Sequence, residues 1–287
     1  MMTDFGGAIQ KSDDYRIAVL GVPYDAKSSY LRGAALGPKA IREASTGLST
    51  NEITEKQVNL ERDTVMVDLG DVNTEGDYDR VAGGIQAALA PVLARGAAPI
   101  VLGGDHSVTY PVVKALSRIY PALDILHFDA HPDLYDELYD DRYSHACTFA
   151  RIMEEELART LVQVGIRAAS PPQRDNARKY GVRLIEMKDL PGRLALTFRN
   201  PLFISFDMDA LDPAFAPGVS HHEAGGLTTR QAIDIIHRLR ARVVGLDVVE
   251  LNPARDPLGI TAAAAFKIIK ETAAEIVLGE KRRTHLR

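Results

Sequence analysis

The sequence predicts an α/β fold, a parallel β-sheet covered by helices on both faces. Short apolar, β-branched runs alternate with longer stretches of helical spacing along the whole 287-residue chain, which is the pattern that repeated βα units produce. The composition, 46% apolar and 25% charged, is that of a globular protein with enough chain for a large core. No Ser/Gly linker, composition break or internal repeat divides the chain, so residues 1–287 are expected to form a single domain.

The expected strands lie at 17–22, 64–69, 99–102, 123–128, 161–166, 182–186, 202–206 and 243–248. Each is a short run of residues suited to a pleated, buried surface. After Gly76, Val81, Ile85, Leu89 and Val92 recur at helical spacing and define one buried helix face. Over 228–239, Ile233, Ile236 and Leu239 form a stripe with Thr228 as the N-cap. A last, Ala-rich helix is expected over 261–278. This many βα units suits an open sheet or a closed (β/α)8 barrel, and both remain open at this point.

Composition narrows the function. The 34 Lys+Arg against 39 Asp+Glu give a net charge of −5, the wrong sign for a nucleic-acid binder, with no basic cluster except Lys281, Arg282 and Arg283. A single cysteine, Cys147, excludes an internal disulfide framework and points to a reducing compartment. The first sixteen residues lack the apolar core of a leader. No apolar run reaches the roughly 18 residues of a spanning helix. The expected location is the cytoplasm.

Reactive residues gather at the ends of three expected strands. PIVLGGDHS ends one with His106, ILHFDAHPD ends another with Asp129, His131 and Asp133, and LFISFDMD ends a third with Asp207 and Asp209. Residues two apart on a strand point to the same side, so each group can converge on one point. Carboxylates crowded at the end of an apolar strand repel one another unless neutralised. Asp129, Asp133, Asp207 and Asp209 carry four negative charges, and two divalent cations balance them. Oxygen-rich ligation with two imidazoles suits manganese or a similar first-row ion. There is no Gly-rich phosphate loop, no Gly-x-Gly-x-x-Gly, no second histidine placed after His222-Glu223 to make a zincin helix, and no Gly-x-Ser-x-Gly elbow.

With these residues the chain resembles the ureohydrolases, the family of arginase and agmatinase. The resemblance rests on GGDHS (103–107), FDAHPDLYD (128–136) and SFDMDALDPAFAPG (205–218), and extends from GVPYD (21–25) to DVVELNP (247–253). It implies a three-layer α/β/α sandwich around an eight-stranded, mainly parallel sheet. It further implies two manganese ions, with nickel or cobalt as alternatives. One would be held by His106, Asp129, Asp133 and Asp207, the other by Asp129, His131, Asp207 and Asp209. A metal-bridging hydroxide would attack the guanidino carbon of a small substrate and release urea and an amine. His145, in YSHACTF (143–149), matches the histidine that protonates the leaving amine. Glu250, in DVVELNP, matches the glutamate that meets the guanidinium. Asp209 counts among both the ligands and the catalytic residues. The family also implies a homo-oligomer, a trimer or hexamer.

The departures bear on substrate. After PAFAPG the chain reads VSHHEAGGLT, which with YSHACTFARIME is similar to the plant-type arginases and their bacterial relatives. Tyr135 stands where animal-type enzymes place an Asn against the substrate's α-carboxylate. Asp136, Glu137, Asp140 and Asp141 form an acidic run beside the expected mouth, which favours agmatine, with its second cation. Arginine is the alternative, followed by guanidinobutyrate, formimidoylglutamate or guanidine. A single-zinc amide deacetylase is the rival of a different class, and the full ligand set speaks against it. His221 and His222 are candidates for the entrance. Asp105, Asp212 and Asp247 are read as supporting groups.

Overall fold

The structure is a computed structural model that describes residues 5–46 and 50–284. Residues 1–4 of the N-terminal stretch and the side chains of the basic tail, Lys281, Arg282 and Arg283, lie outside the described residues. In chain order the elements are β1 (Ile17–Gly21), α1 (Gly37–Ala44), α2 (Leu60–Asp63), β2 (Met66–Asp71), α3 (Tyr78–Ala94), β3 (Ala98–Leu102), α4 (Thr109–Ser117), β4 (Asp124–Phe128), α5 (Thr148–Glu154), β5 (Thr160–Ile166), α6 (Pro171–Tyr180), β6 (Arg183–Glu186), β7 (Thr197–Asp207), α7 (Thr229–His237), β8 (Arg240–Val249) and α8 (Ile260–Thr284).

The strands form one eight-stranded sheet in the order β2-β1-β3-β8-β7-β4-β5-β6. Every pair in it is parallel. β2 and β6 are its outermost strands and do not pair with each other, so the sheet is open and the barrel is excluded.

Alternation along the strands divides the core. Ile100, Leu102, Leu126, Phe128, Ile204, Phe206, Leu246 and Val248 face the layer that contains α7 and α8. Val101, Ile125, Leu161, Phe203 and Val244 face α3, α4 and α5 on the other side. The helix stripe read from the sequence is what α3 buries: Val81, Ile85 and Leu89 are fully enclosed. Thr228 caps α7 in a reciprocal capping box with Gln231, which satisfies two otherwise orphaned N–H groups. No helix among the described residues is long and apolar enough to cross a membrane.

Three strands depart from expectation by more than a residue, among them β8, which begins at Arg240 rather than 243. β2 runs from Met66 to Asp71 rather than over 64–69, continuing through Gly70, whose φ of +78° a side chain rarely adopts. β7 begins at Thr197 rather than 202. Its register against β8 shifts between Thr197 and Pro201, and that irregularity breaks the alternation a sequence reading relies on.

The chain leaves β3 and re-enters the sheet at β4, three positions away, and β7 and β8 later fill the gap. In open parallel sheets the crevice at the carboxyl ends of such central strands is where ligands bind.

Candidate active site

His106, Asp129 and Asp207 arrive from three of these central strands. Asp105 caps the turn after β3, accepting the Ser107 N–H at 3.0 Å, and so sets His106 pointing into the crevice. His106 Nδ1 lies 3.3 Å from Asp129 Oδ2, 3.1 Å from Asp133 Oδ2 and 3.1 Å from Asp207 Oδ2. His131 Nδ1 lies 3.4 Å from Asp129 Oδ1 and 3.1 Å from Asp209 Oδ2. All six residues expected from the sequence are therefore brought together, with Asp129 shared between the two halves.

Backbone N–H groups hold one oxygen of three of these carboxylates. His131 donates to Asp129 Oδ1 at 2.6 Å, Asp209 to Asp207 Oδ1 at 2.7 Å, and Ala130 to Asp209 Oδ1 at 3.0 Å. Asp133 is presented from a left-handed backbone, φ +50°, a strained conformation of the kind found at functional sites.

The electrostatics are those of a cluster short of positive charge. Burial, reinforced by Asp129, pushes Asp133 up to about 6. Burial with Asp209 and Asp129 pushes Asp207 well above the usual carboxylate range. Burial works against a charged His106, yet Asp129, Asp133 and Asp207 outweigh it and raise its proton affinity.

The donor set fits divalent cations. His106 Nδ1 is buried without a hydrogen-bond partner and faces three carboxylate oxygens. Its other nitrogen lies 3.0 Å from Ser205 Oγ, and Ser205 in turn bonds to Asp247. Donation from Nε2 along this chain leaves the Nδ1 lone pair for a metal. Hard oxygens with two imidazoles and no thiolate suit an ion such as manganese.

A cavity of about 200 Å³ opens over the cluster, lined by His131, Asp133, Asp207 and Asp209 and also by His145 and Glu250. His145 Nδ1 lies 2.7 Å from Glu250 Oε1. Glu250 also has a left-handed backbone, φ +63°, and its Oε2 is buried with no partner. Ser29 meets His145 from the other side, its backbone N–H donating to Nε2 at 3.1 Å and its hydroxyl 2.8 Å away. Glu250 raises the His145 proton affinity, against burial, to about 9. The Ser29 N–H favours a lone pair on Nε2.

Sequence reasoning missed three residues here. Ser29 comes from a distant loop and carried no motif. Arg167 sends its guanidinium only to carbonyl oxygens, including Asp209 O at 2.7 Å, Glu223 O at 2.6 Å and Gly165 O at 3.0 Å, and ties the turn after β7 to the loop that carries Glu223. His127 is fully buried with Nε2 2.8 Å from Asp129 Oδ2. Its alternation with Asp129, His131 and Asp133 was a signal available in the sequence.

The weaker candidates divide. His221 lines the cavity, packed 5.4 Å from the His145 ring, whereas His222 turns to the Pro217 carbonyl. Asp212 accepts the N–H groups of Ala214, Gly225 and Gly226, a purely supporting task. Of the acidic run, none lines the cavity. Asp141 is paired with Lys27 at 2.7 Å and Asp136 lies 3.9 Å from Arg151.

The chain is similar to known proteins over most of its length. Residues 15–274 match the model of the arginase family. The chain is 46% identical to arginase 1, mitochondrial, of Arabidopsis thaliana over 275 residues, 90% of this chain and 80% of that protein. It superposes on the arginase of Medicago truncatula with a TM-score of 0.85 at 44% identity, covering 91% of this chain and 87% of that one. The human guanidino acid hydrolase, mitochondrial, is 37% identical over 88% of this chain and 76% of its own length.

These relatives correct the cytoplasmic expectation, because the plant arginases carry mitochondrial or chloroplastic designations. A single cysteine points to reducing rather than oxidising surroundings, but it does not tell one reducing compartment from another.

Relatedness of this extent, together with the shared sheet, settles the lineage: the chain belongs to the arginase family and is a hydrolase of guanidino C–N bonds.

Proposed function

We propose that the protein hydrolyses L-arginine to ornithine and urea with two manganese ions as cofactor. The observation that carries this reading is the unpartnered Glu250 Oε2, buried in the cavity wall beside the His/Asp cluster. A buried carboxylate oxygen without a partner is costly unless a ligand supplies the donor, and a guanidinium supplies a planar fork of them.

His106, Asp129, Asp133 and Asp207 would hold one ion, and Asp129, His131, Asp207 and Asp209 the other. When bound, the pair supplies a water activated at neutral pH and positive charge against the developing oxyanion. Glu250 orients the guanidinium through its free oxygen. His145 carries the proton required by the departing amine, with Glu250 at Nδ1 and Ser29 at Nε2 fixing the ring.

The choice of arginine over agmatine rests on the outer wall. Every carboxylate lining the cavity belongs to the metal cluster or is Glu250. An alkylammonium tail would therefore meet no further anion, whereas Ser29, Tyr135, Gln173 and His221 offer neutral hydrogen-bonding groups to an amino-acid head. The relatives named as arginases and as a guanidino acid hydrolase support a carboxylate-bearing substrate.

Urea release by the manganese-loaded protein from arginine, agmatine, 4-guanidinobutyrate and guanidine, measured side by side, tests this. The highest kcat/KM is expected for arginine. A higher value for agmatine would overturn the substrate assignment and leave the hydrolase intact.

A further inference from the structure

A row of four polar side chains crosses the sheet directly beneath the cluster. Asp247 of β8 is in register with Ser205 of β7, Ser205 with His127 of β4, and His127 with Gln163 of β5. All four are fully buried, between strand positions that are mostly apolar. Groups so placed are costly unless hydrogen-bonded, and each of the four makes at least one such contact. The Asp247–Ser205 half orients His106, and the His127–Gln163 half has no assigned purpose.

His127, His106 and Asp129 lie close enough together to hold one ion, so His127 has the position of a seventh ligand. Its hydrogen bonds say otherwise. Gln163 Nε2 lies 2.7 Å from the Pro132 carbonyl oxygen and 2.8 Å from His127 Nδ1. A carbonyl oxygen only accepts, so the amide nitrogen must be the atom that faces it. The second amide proton then goes to His127 Nδ1, which accepts it with its lone pair. The imidazole proton is thereby placed on Nε2, pointing at Asp129 Oδ2 across 2.8 Å. An Nε2 that carries a proton has no lone pair to give a cation. The ring is clamped in this orientation by Phe149, stacked at 3.9 Å between centroids.

From this geometry we infer that His127 is a positioning residue, not a ligand, and that Gln163 sets the tautomer in which it donates to Asp129. With Oδ2 held by His127 and Oδ1 by the His131 N–H, each oxygen of Asp129 keeps one lone pair, aimed toward a different half of the cluster. That is the requirement for a carboxylate that bridges two cations. The inference rests on the dinuclear reading of the cluster, and its test separates the two.

Long-range ¹H–¹⁵N correlation spectra of the metal-free protein read the tautomer directly. The His127 ring should show a protonated Nε2 and an unprotonated Nδ1; a protonated Nδ1 would overturn the inference whatever the cluster binds. Manganese titration of the same protein supplies the second readout. His127→Phe should still bind two ions, with affinity weakened about 10–100-fold, the usual effect of losing a group behind a ligand. His127→Gln, whose amide can reach Asp129, should recover most of the loss. Gln163→Glu turns the donor to Nδ1 into an acceptor and should weaken binding although His127 is intact, and it serves if the Phe variant fails to fold. Binding of only one ion by His127→Phe would make His127 a ligand and overturn the inference, as would two ions bound at wild-type affinity. A wild-type protein that binds no manganese would overturn the dinuclear reading, while the spectrum of the metal-free protein would still decide the His127 tautomer.

Discussion

Glu250 Oε1 lies 2.7 Å from His145 Nδ1 and accepts the backbone N–H of His106 at 2.9 Å. One carboxylate oxygen thus links the proposed proton carrier to the turn that carries a metal ligand, while its partner oxygen faces the cavity unpaired. Glu250→Gln should lower kcat/KM at least about tenfold, since a charge-assisted partner of the guanidinium is lost. Two ions should remain bound. Wild-type kinetics in this variant would show that the guanidinium is held elsewhere.

His145→Asn should reduce kcat by roughly 10²-fold or more, within the ordinary range for a general acid. Manganese content should stay unchanged, because His145 makes its contacts to Glu250 and Ser29 rather than to the cluster. An unaltered kcat would return His145 to a packing role.

Arg167→Met should loosen two loops together. It would strip hydrogen-bond donors from the carbonyls of Asp209 and Glu223, which both accept from one terminal nitrogen of the guanidinium. A loss of about 1–3 kcal/mol is expected, the cost of leaving such acceptors unsatisfied. Hydrogen exchange should accelerate over 209–226 and hardly at all over β1 and β2. Uniform acceleration, or none, would contradict the clamp.

Cys147 sits fully enclosed beside His145. Burial, aided by Asp133, pushes its thiol up to about 12. At neutral pH the native thiol should react with iodoacetamide at least about 10³-fold more slowly than the unfolded chain, since only thiolate reacts. A native rate within tenfold of the unfolded one would mean that the 141–147 loop opens readily.

The cluster was legible because its motif is local: Asp129, His131 and Asp133 fall within five residues at the carboxyl end of a strand, although β4 itself ends at Phe128 and the three side chains are presented by the segment that follows it. Asp207 and Asp209 are likewise close together, at the end of β7. What could not be read depends on sheet order. Gln163 meets His127 only because β5 lies beside β4 in register, and Ser29 meets His145 only because two loops cross above the sheet. The acidic run misled for a related reason. Its proximity to the motif in sequence is real, but the side chains turn to Lys27, Arg151 and solvent rather than into the cavity. β7 was read short because Pro201 and a register shift interrupt its pattern.

The central claim, guanidino hydrolysis through a dinuclear cluster, is tested most directly by one titration. Metal-free protein is supplied with manganese in steps, and bound metal and urea release from L-arginine are read at each step. Activity should be absent without metal and should reach its plateau at two ions per chain, with Asp129→Asn inactive throughout. Full activity at one ion per chain, or in the metal-free protein, would contradict the account.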